Sequence, residues 1–381
     1  MSDLEETIDL VHLTTVHDVL DTRIFYREAL SAHQAGIRTV VVGPSKTPNM
    51  ESVNGIKIVP LRRPSGRLKR RLLSPLAAFV KVRALKPRIV HFHDPEIIPV
   101  ALVMKILGYK MVWDVHEFYS EVQTAHMRCG PLRAIKRFLL NLFLEKLPCA
   151  LFDRSVFPTK ALRITVRNNS DSLACVNLLP LQVFPDAGQQ PNKEYDLIFM
   201  GSMSPFRAGP FMKMIALLSQ QRPLFKAALL GVPEATQDWM RKNVPSNEVL
   251  QAMTFIPKVP HTEVAGILRS AKIGFNYHPM EKRFQVALPM KVYEYMVCGL
   301  PVVCSRFPEL AGQLSTEEMV LIDSDDQQDY ADAISNLLND PVRMQRIALA
   351  GQAAVRERLN WEASEEPKLI SMYRELLDYT K

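Results

Sequence analysis

Short runs rich in β-branched residues alternate with longer helical patterns along almost the whole chain. This alternation constrains the fold more than any other feature, because it is typical of the βαβ units that build parallel sheets. Two series of strands are predicted. The first has strands at 8–14, 39–42, 56–60, 89–92 and 110–115, with a further strand and helix near 150–167. The second has strands at 196–200, 225–230, 253–256, 273–277, 301–304 and 319–322.

A segment rich in Pro, Gly, Gln and Asn, LLPLQVFPDAGQQPNKEYD, lies between the two series and is typical of an interdomain linker. A length of 381 residues also favours two domains. The sequence therefore predicts an α/β fold with two Rossmann-like, doubly wound parallel-sheet domains, at 1–185 and 186–360, followed by a C-terminal helix at 361–381. Ligands are expected at the carboxyl ends of the strands and in a cleft between the two domains.

The composition is that of a globular protein and gives no sign of a membrane-spanning segment. Hydrophobic residues make up 47% of the chain, yet no run of about 18 apolar residues occurs. The first residues, MSDLEETIDL, are acidic where a signal peptide needs a basic flank and an apolar run. Five scattered cysteines without a C-x-x-C pair favour free thiols over disulfides or a zinc site. A cytoplasmic location is expected.

Positive charge is concentrated in one part of the chain. Residues 61–88 hold ten Lys and Arg residues and no acid, and the stretch RAIKRFLLNLFLEKL at 133–147 again places cations beside a broad apolar face. Three interpretations are open: docking on an anionic membrane surface, nucleic-acid binding, or ordinary helices that cover a sheet. Aromatics are too sparse in the basic run for single-stranded nucleic acid, and no nucleic-acid partner is predicted. Docking on the inner face of the cell membrane would involve Arg67, Lys69, Arg70, Arg71, Lys136 and Arg137.

Histidines and carboxylates gather where two predicted strands end. HFHDPE places His91, His93 and Asp94 at the end of the strand 89–92. DVHE places His116 and Glu117 at the end of the strand 110–115. Neighbouring strand ends lie about 5 Å apart, so these side chains are expected to line one pocket. A metal site is the weaker interpretation, because the H-x-H pattern sends two histidines to one face without a fixed third ligand.

The segment ALPMKVYEYMVCGLPVVC predicts a short helix with a defined start and end. Pro289 suits its first position, and Gly299 suits the left-handed residue that follows the helix. The positive end of the helix, at Pro289 and Met290, predicts a diphosphate site, and Lys291 in the first turn adds a full charge. Glu294 lies three residues further on. It either accepts hydrogen bonds from vicinal hydroxyls such as those of ribose, or pairs with Lys291 on the helix surface.

A third motif, FMGSMSPFRAGP, ends a strand at Gly201 and continues into a serine-rich turn. Backbone N–H groups of such a turn can hold a phosphate, and the guanidinium of Arg207 near the start of the next helix adds a charge. Gly201, Ser202 and Arg207 are therefore candidate residues of the same phosphate site.

In their order along the chain, these motifs resemble the retaining glycosyltransferases with the GT-B fold, and family 4 in particular. DTRIFYREALSAHQAGIRTVVVG resembles the opening helix and second strand of the family, HFHDPE and DVHEFYSE resemble its acceptor-side strand ends, and KVYEYMVCGLPVVCSRFPEL resembles its donor-site signature. The resemblance implies that Glu294 binds the ribose of a nucleotide-sugar, and that Arg207 and the helix starting near Pro289 bind its diphosphate. It further implies that His116 meets the donor sugar, and that the helix after Trp361 packs on the N-terminal domain.

The sequence departs from the family pattern at two positions. The family commonly has two glutamates eight positions apart, and Val286 stands where the first should precede Glu294, which leaves the donor sugar open. An arginine common just after the glycine is Ser202 here, so Arg207 and Lys291 are expected to neutralise the diphosphate.

The expected reaction is transfer of a sugar from a UDP- or GDP-linked donor to a hydroxyl acceptor, with retention at the anomeric carbon and without a metal or other cofactor. His116, Asp94 and Glu117 are the candidate catalytic and acceptor-positioning residues. The basic amphipathic segments favour a lipid-linked, lipopolysaccharide or exopolysaccharide acceptor. Two alternatives stay open: a nucleotide-sugar-binding protein that has lost catalysis, and a sugar-nucleotide epimerase of similar fold.

Overall fold

The computed structural model describes residues 7–378 except 48–49, 63, 125–126, 167–170, 185–191, 282–283 and 285–287, and at 67, 68, 183, 261 and 262 it describes the backbone alone. The chain divides into two compact units. The first comprises Met1–Asn177 and Ser364–Lys381, and the second comprises Leu178–Ala363. These divisions lie close to the predicted boundaries after 185 and 360. Much of the predicted linker falls on 185–191, outside the described residues.

The first unit is built on a sheet of eight strands. They are β1 (Leu10–Leu13), β2 (Thr39–Pro44), β3 (Ser52–Val53), β4 (Ile56–Leu61), β5 (Ile89–Phe92), β6 (Lys110–Asp114), β7 (Arg154–Phe157) and β8 (Ser172–Ala174). Their order is β3-β4-β2-β1-β5-β6-β7-β8. All pairs are parallel except β3 with β4. The direction of winding reverses between β1 and β5, which is where a doubly wound sheet opens a crevice for ligands.

Helices cover this sheet and follow the predicted alternation, with some differences. The helix predicted near 74–86 begins earlier, and the one predicted at 131–147 is three consecutive segments. The strands β3 and β8 and the helix Tyr119–Val122 were not predicted, since each is too short to carry a periodic pattern. The helical segments are Ile24–Ala29 and Leu30–Gln34, Arg67–Leu85, Pro95–Ile97 and Ile98–Ile106, Tyr119–Val122, Pro131–Leu140, Asn141–Lys146 and Leu147–Leu151, and Lys160–Val166.

The two faces of the first sheet differ in chemistry. One face carries apolar side chains such as Val11, Leu13 and Phe92, which are completely buried in the hydrophobic core. Because side chains alternate between the faces along a strand, His12 and His91 point to the other face, and both are also completely buried. The central strands of this sheet therefore place polar groups inside the protein, which calls for a specific set of partners.

The second unit is built on a sheet of six parallel strands. They are β9 (Tyr195–Met200), β10 (Ala227–Leu230), β11 (Met253–Ile256), β12 (Ala271–Asn276), β13 (Val302–Ser305) and β14 (Val320–Ile322), in the order β11-β10-β9-β12-β13-β14. The winding reverses between β9 and β12. The helical segments from 178 to 363 that lie wholly in this unit are Leu181–Val183, Pro205–Gln221, Glu234–Asn243, Asn247–Gln251, His261–Arg269, Lys291–Val297, Pro308–Ala311, Gln327–Asn339 and Pro341–Glu357.

The C-terminal segment crosses back to the first unit. A π-helical segment, Trp361–Glu365, leads into the helix Glu366–Asp378. Tyr373 Oη lies 2.7 Å from His91 Nδ1, and Arg88 donates a hydrogen bond to the carbonyl of Leu377. The last helix thus packs against β5 and its neighbours. Among the described residues, no helix combines the length and the apolar character needed to cross a membrane.

Candidate functional site

The first group of candidate residues lies in the second unit, at the carboxyl ends of β9 and β12. Gly201 follows β9 and adopts a φ of +96°, a conformation that favours glycine. Arg207 lies in the first turn of the helix Pro205–Gln221. Its Nη1 lies 2.9 Å from His278 Nε2, just beyond β12, and its Nη2 donates to the carbonyl of Ser202 at 2.5 Å. The Arg207 guanidinium is therefore fixed where a doubly wound sheet binds its ligands.

Lys291 brings a second cation to the same place. Its Nζ lies 4.4 Å from the centroid of the Phe199 ring, and a Cβ atom added to Gly201 would stand 3.4 Å from it. Burial lowers the pKa of Lys291 to about 8, the nearby Arg207 lowers it further, and Glu294 opposes the shift. Two cations held close together in a partly buried site favour an anionic ligand, because such a ligand removes their mutual repulsion.

The helix that carries Lys291 differs from the prediction at its start. It spans Lys291–Val297, so Pro289 is not its first residue as predicted. The N–H of Val292 bonds to the carbonyl of Pro289 at 3.1 Å, so the proline and Met290 form a tight turn that leads into the helix. Lys291 is nevertheless in the first turn, as expected.

The end of this helix is as predicted. Gly299 has a φ of +76°. Its N–H bonds to the carbonyl of Met296, and the N–H of Leu300 bonds to the carbonyl of Tyr295, which together form a Schellman motif. Tyr295 also ties the helix to the sheet, since its hydroxyl accepts from the N–H of Met200 at 2.8 Å and lies 3.3 Å from the carbonyl of Phe275. The helix is thereby fixed beside β9 and β12.

Glu294 lies half-buried in the same helix, and its effect on the pKa of Lys291 shows that the two charges interact. Binding of ribose hydroxyls by Glu294 stays a prediction. Val286, where the family pattern has a glutamate, lies outside the described residues. A cavity of about 680 Å³ adjoins Gly201 and Ser202, and Gly231, Val232 and Lys258 also line it. Its size falls in the range of small-molecule sites.

The second group of candidate residues lies in the first unit and is built around Asp114, at the end of β6. Arg23 donates to both of its carboxylate oxygens, each at 2.9 Å. His93 Nδ1 and His116 Nε2 each lie 3.0 Å from Asp114 Oδ2. Burial alone would raise the pKa of Asp114, but Arg23 and the two histidines hold it well below its usual range. Asp114 is therefore an ionised, buried carboxylate that orients His116, which is partly exposed.

Asp94 and Glu117 do not join this group. Asp94 Oδ2 accepts hydrogen bonds from the Thr14 hydroxyl at 2.7 Å and the backbone N–H of Thr15 at 2.6 Å, so the carboxylate fixes the turn after β1. Its Oδ1 lies 3.4 Å from His17 Nε2. The side chain of Glu117 is exposed. Both residues keep their predicted acceptor roles only as predictions.

Several residues of these two groups were not predicted from the sequence: Arg23, Glu28, His12, Tyr373 and His278. Arg23 and Glu28 lie in a helical pattern where a charged residue is usually on the exposed face. His12 carried a usable signal, because it is the one polar residue in the predicted strand 8–14 between Asp9 and Thr14. Tyr373 and His278 are remote in sequence from their partners, and single-sequence patterns do not report such pairs.

The predicted surface residues lie on exposed helical segments of the first unit. Lys69 and Arg71 are exposed and Arg70 is half-buried in the helix Arg67–Leu85, and the side chain of Arg67 lies outside the described residues. No residue of the helix Pro131–Leu140 is buried, and its cations include Lys136 and Arg137, the latter 2.8 Å from Glu121. Exposed apolar residues accompany them: Leu72, Leu73, Leu76, Val80, Leu132, Ile135, Phe138, Leu139 and Phe143.

Comparisons with known proteins agree with this arrangement. Residues 22–171 match the family described as Glycosyltransferase Family 4, and residues 212–364 match the family described as glycosyl transferase-like. The D-inositol 3-phosphate glycosyltransferase of Thermomonospora curvata is 27% identical over 193 residues, which are 48% of this chain and 43% of that protein. The chain thus matches less than half the length of this curated relative.

Solved structures show the same fold over nearly the whole chain. The sucrose-phosphate synthase of Thermosynechococcus elongatus has a TM-score of 0.74 at 17% identity, covering 97% of this chain and 99% of that one. Alr3699/HepE of Anabaena, solved with UDP and glucose, has a TM-score of 0.68 at 14% identity, covering 98% and 100%. With the two family matches on either half, the chain belongs to the family 4 glycosyltransferases and has their GT-B fold of two Rossmann-like domains.

Proposed function

We propose that this glycosyltransferase takes its sugar from a nucleoside diphosphate donor and transfers it to a hydroxyl group with retention at the anomeric carbon. The observation that carries the proposal is the pair of cations, Arg207 and Lys291, beside Gly201 at the point where the second sheet reverses its winding. The titles of solved neighbours with UDP and UDP-glucose support the choice of donor class. The cavity next to Gly201 is large enough for a nucleoside.

The chemistry follows from charge. As the bond to the sugar breaks, negative charge develops on the leaving diphosphate, and fixed cations stabilise that charge more than they stabilise the ground state. Arg207 and Lys291 supply two positive charges, so the step needs no metal ion. Glu294 is assigned to the ribose hydroxyls. In the first unit, His116 is assigned to the sugar-transfer step, with Asp114 as the positioning residue that fixes its tautomer.

The reaction itself can be tested with UDP- and GDP-sugars and extracted lipid-linked glycan acceptors. Release of the nucleoside diphosphate that depends on the acceptor, with the anomeric configuration of the product unchanged by NMR, is the expected result. Interconversion of the nucleotide-sugar without any acceptor would instead identify an epimerase. Tight donor binding with no turnover on any acceptor would identify a binding protein without catalysis.

Donor binding is expected to weaken as the pH rises, because Lys291 loses its charge near pH 8 in the free enzyme. A bound diphosphate favours the charged lysine and raises its pKa, so protons are taken up on binding. The affinity for GDP or UDP should fall about tenfold between pH 7 and pH 9 in calorimetric titrations. A Lys291→Arg variant keeps its charge over this range and serves as the control with a flatter profile. A wild-type affinity that does not change from pH 7 to pH 9 would contradict the assignment of Lys291.

We also propose that the acceptor is presented at an anionic membrane surface, as a lipid-linked or lipopolysaccharide glycan, on the cytoplasmic side. The support is the exposed surface of the first unit. The helix Pro131–Leu140 exposes Leu132, Ile135 and Phe138, and a groove of about 600 Å³ runs between Ile135 and Phe143. A helix with an exposed apolar face and flanking cations is typical of segments that lie in the membrane interface.

Vesicle binding tests this surface. Purified protein should sediment with phosphatidylglycerol-containing vesicles at low salt and much less with pure phosphatidylcholine. Replacing Arg71 and Lys136 together by Gln should lower the partition coefficient roughly 30-fold, at about 1 kcal/mol for each basic residue near the surface. Lys213→Gln in the second unit is the matched control and should bind like the wild type. Absence of binding to anionic vesicles at low salt would contradict the proposal.

A further inference from the structure

Four metal-ligating side chains meet inside the first unit on the polar face of its sheet. His12 on β1 is directly paired with His91 on β5 in the sheet register. His93 follows two residues later on the same face, and the helix Ile24–Ala29 supplies Glu28. All four residues are completely buried. The sequence showed only the H-x-H pair, whereas the sheet order and the covering helix add the two further ligands.

The spacing of the ligand atoms fits one ion. His12 Nδ1 and His93 Nε2 lie 3.1 Å apart. Glu28 Oε2 lies 3.8 Å from His12 Nδ1, 3.7 Å from His91 Nδ1 and 3.9 Å from His93 Nε2. Four ligands at tetrahedral zinc, with bonds of about 2.0–2.1 Å, stand about 3.3 Å from one another. Adjustments of a few tenths of an ångström would bring the observed atoms to that geometry.

Glu28 is not explained by protein contacts alone. Its carboxylate is completely buried, and within the described part of the chain neither oxygen accepts a hydrogen bond. Arg23 Nε lies 3.0 Å from Glu28 Oε1, but this nitrogen donates its hydrogen bond to Asp114. Burial and the Asp114 charge raise the pKa of Glu28 well above its usual range. A buried carboxylate in this state is costly unless a cation completes its coordination.

The outer nitrogens of two of the histidines have the partners that metal-binding imidazoles usually have. His93 Nδ1 lies 3.0 Å from Asp114 Oδ2, the carboxylate–histidine pair common at zinc sites. His12 Nε2 lies 3.5 Å from the hydroxyl of Tyr373. Burial lowers the pKa of His12 and of His91, which keeps the imidazoles neutral, the form that binds metal. Tyr373 Oη is also 2.7 Å from His91 Nδ1, so metal binding would release that contact and leave the hydroxyl to His12.

We propose that His12, Glu28, His91 and His93 bind one divalent transition-metal ion of the zinc class, with a structural role in the first unit. Three imidazoles and one carboxylate in a tetrahedral set suit Zn²⁺, and Co²⁺ would take the same geometry. All four ligands come from the protein and no ligand is exposed, so the site is closed, as structural sites are. The ion would join β1 and β5 to the first helix. This inference is independent of the donor and the acceptor.

Metal content of the untagged full-length protein, purified without chelators and dialysed against metal-free buffer, tests the site. We expect about one zinc per chain by elemental analysis, and a visible Co²⁺ spectrum typical of tetrahedral coordination after exchange. Prolonged chelation should lower Tm by roughly 5–10 °C, with recovery on adding Zn²⁺. Glu28→Gln and His12→Asn should retain at least about tenfold less metal. His33→Asn, outside the cluster, is the matched control and should keep a full metal content.

A hydrogen-bonded cluster without metal makes the opposite predictions. The wild type would contain no stoichiometric metal, would show no tetrahedral Co²⁺ spectrum and would have a Tm unaffected by chelators or Zn²⁺. Glu28→Gln would then be at least as stable as the wild type, since it removes a buried unpaired charge. Retention of a full metal content by Glu28→Gln would equally overturn this ligand set. The wild-type measurements decide the question even if a variant does not fold.

Discussion

Replacing Arg207 with Ala is expected to lower kcat/KM for sugar transfer about 10²–10³-fold while leaving the fold intact. The guanidinium is held by Ser202 and His278 beside Gly201, so it meets the diphosphate already oriented, and a preorganised charge of this kind stabilises the leaving group in the transition state. Its removal leaves Lys291 as the one cation assigned to the diphosphate. Steady-state kinetics with the donor varied, together with the affinity for the free nucleoside diphosphate, measure the loss.

The matched control lies on the same helix. Lys213 is a largely exposed cation, 3.8 Å from Asp326, and exposed pairs of this kind contribute little. Lys213→Ala should therefore keep wild-type kinetics and stability. Equal activity of Arg207→Ala and Lys213→Ala would show that the diphosphate is bound elsewhere. Unchanged thermal unfolding of Arg207→Ala is needed to assign its loss to the site.

Asp114→Asn is expected to destabilise the first unit by about 3–5 kcal/mol, the largest stability effect that the structure predicts. Asp114 accepts two hydrogen bonds from Arg23, both groups are almost completely buried, and loss of one partner leaves the other charge without compensation. The amide also has a different tautomer requirement for His93 and His116. Urea unfolding followed by circular dichroism measures the change in the free energy of unfolding.

Two further variants separate the charge effect from general damage. Glu375→Gln removes an exposed carboxylate 3.4 Å from Arg154 and should change stability by less than about 1 kcal/mol. Adding Arg23→Met to Asp114→Asn removes the buried cation as well and should recover a substantial part of the lost stability. A single variant as stable as the wild type, or a double variant weaker than the sum of its parts, would argue against a buried ion pair.

The sequence predicted the fold because both sheets are made of short apolar strands alternating with helices, a local pattern that the structure confirms in both units. Local chemistry also predicted the end of the donor helix, since Gly299 adopts the left-handed conformation that closes it. The start was less well predicted. Pro289 suits the first position of a helix, but it suits a tight entry turn equally well, and the latter is what forms.

The site was predicted where its residues lie in one motif and missed where they come from distant segments. Gly201, Arg207 and Lys291 follow strand or helix boundaries that are visible in the sequence, and the structure brings them together. The buried partners of Asp114 are different. Arg23 precedes it by 91 residues, and the contact depends on how the first helix crosses the sheet, which no local pattern reports. The same holds for Glu28 among the histidines.

A crystal structure of the full chain with UDP or GDP tests the donor site most directly. The diphosphate should lie beside Gly201, with its oxygens within hydrogen-bond distance of the Arg207 guanidinium and Lys291 Nζ, and the ribose should face Glu294. A nucleotide that is well ordered at some other part of the chain, with Arg207 still bonded only to Ser202 and His278, would contradict the assignment.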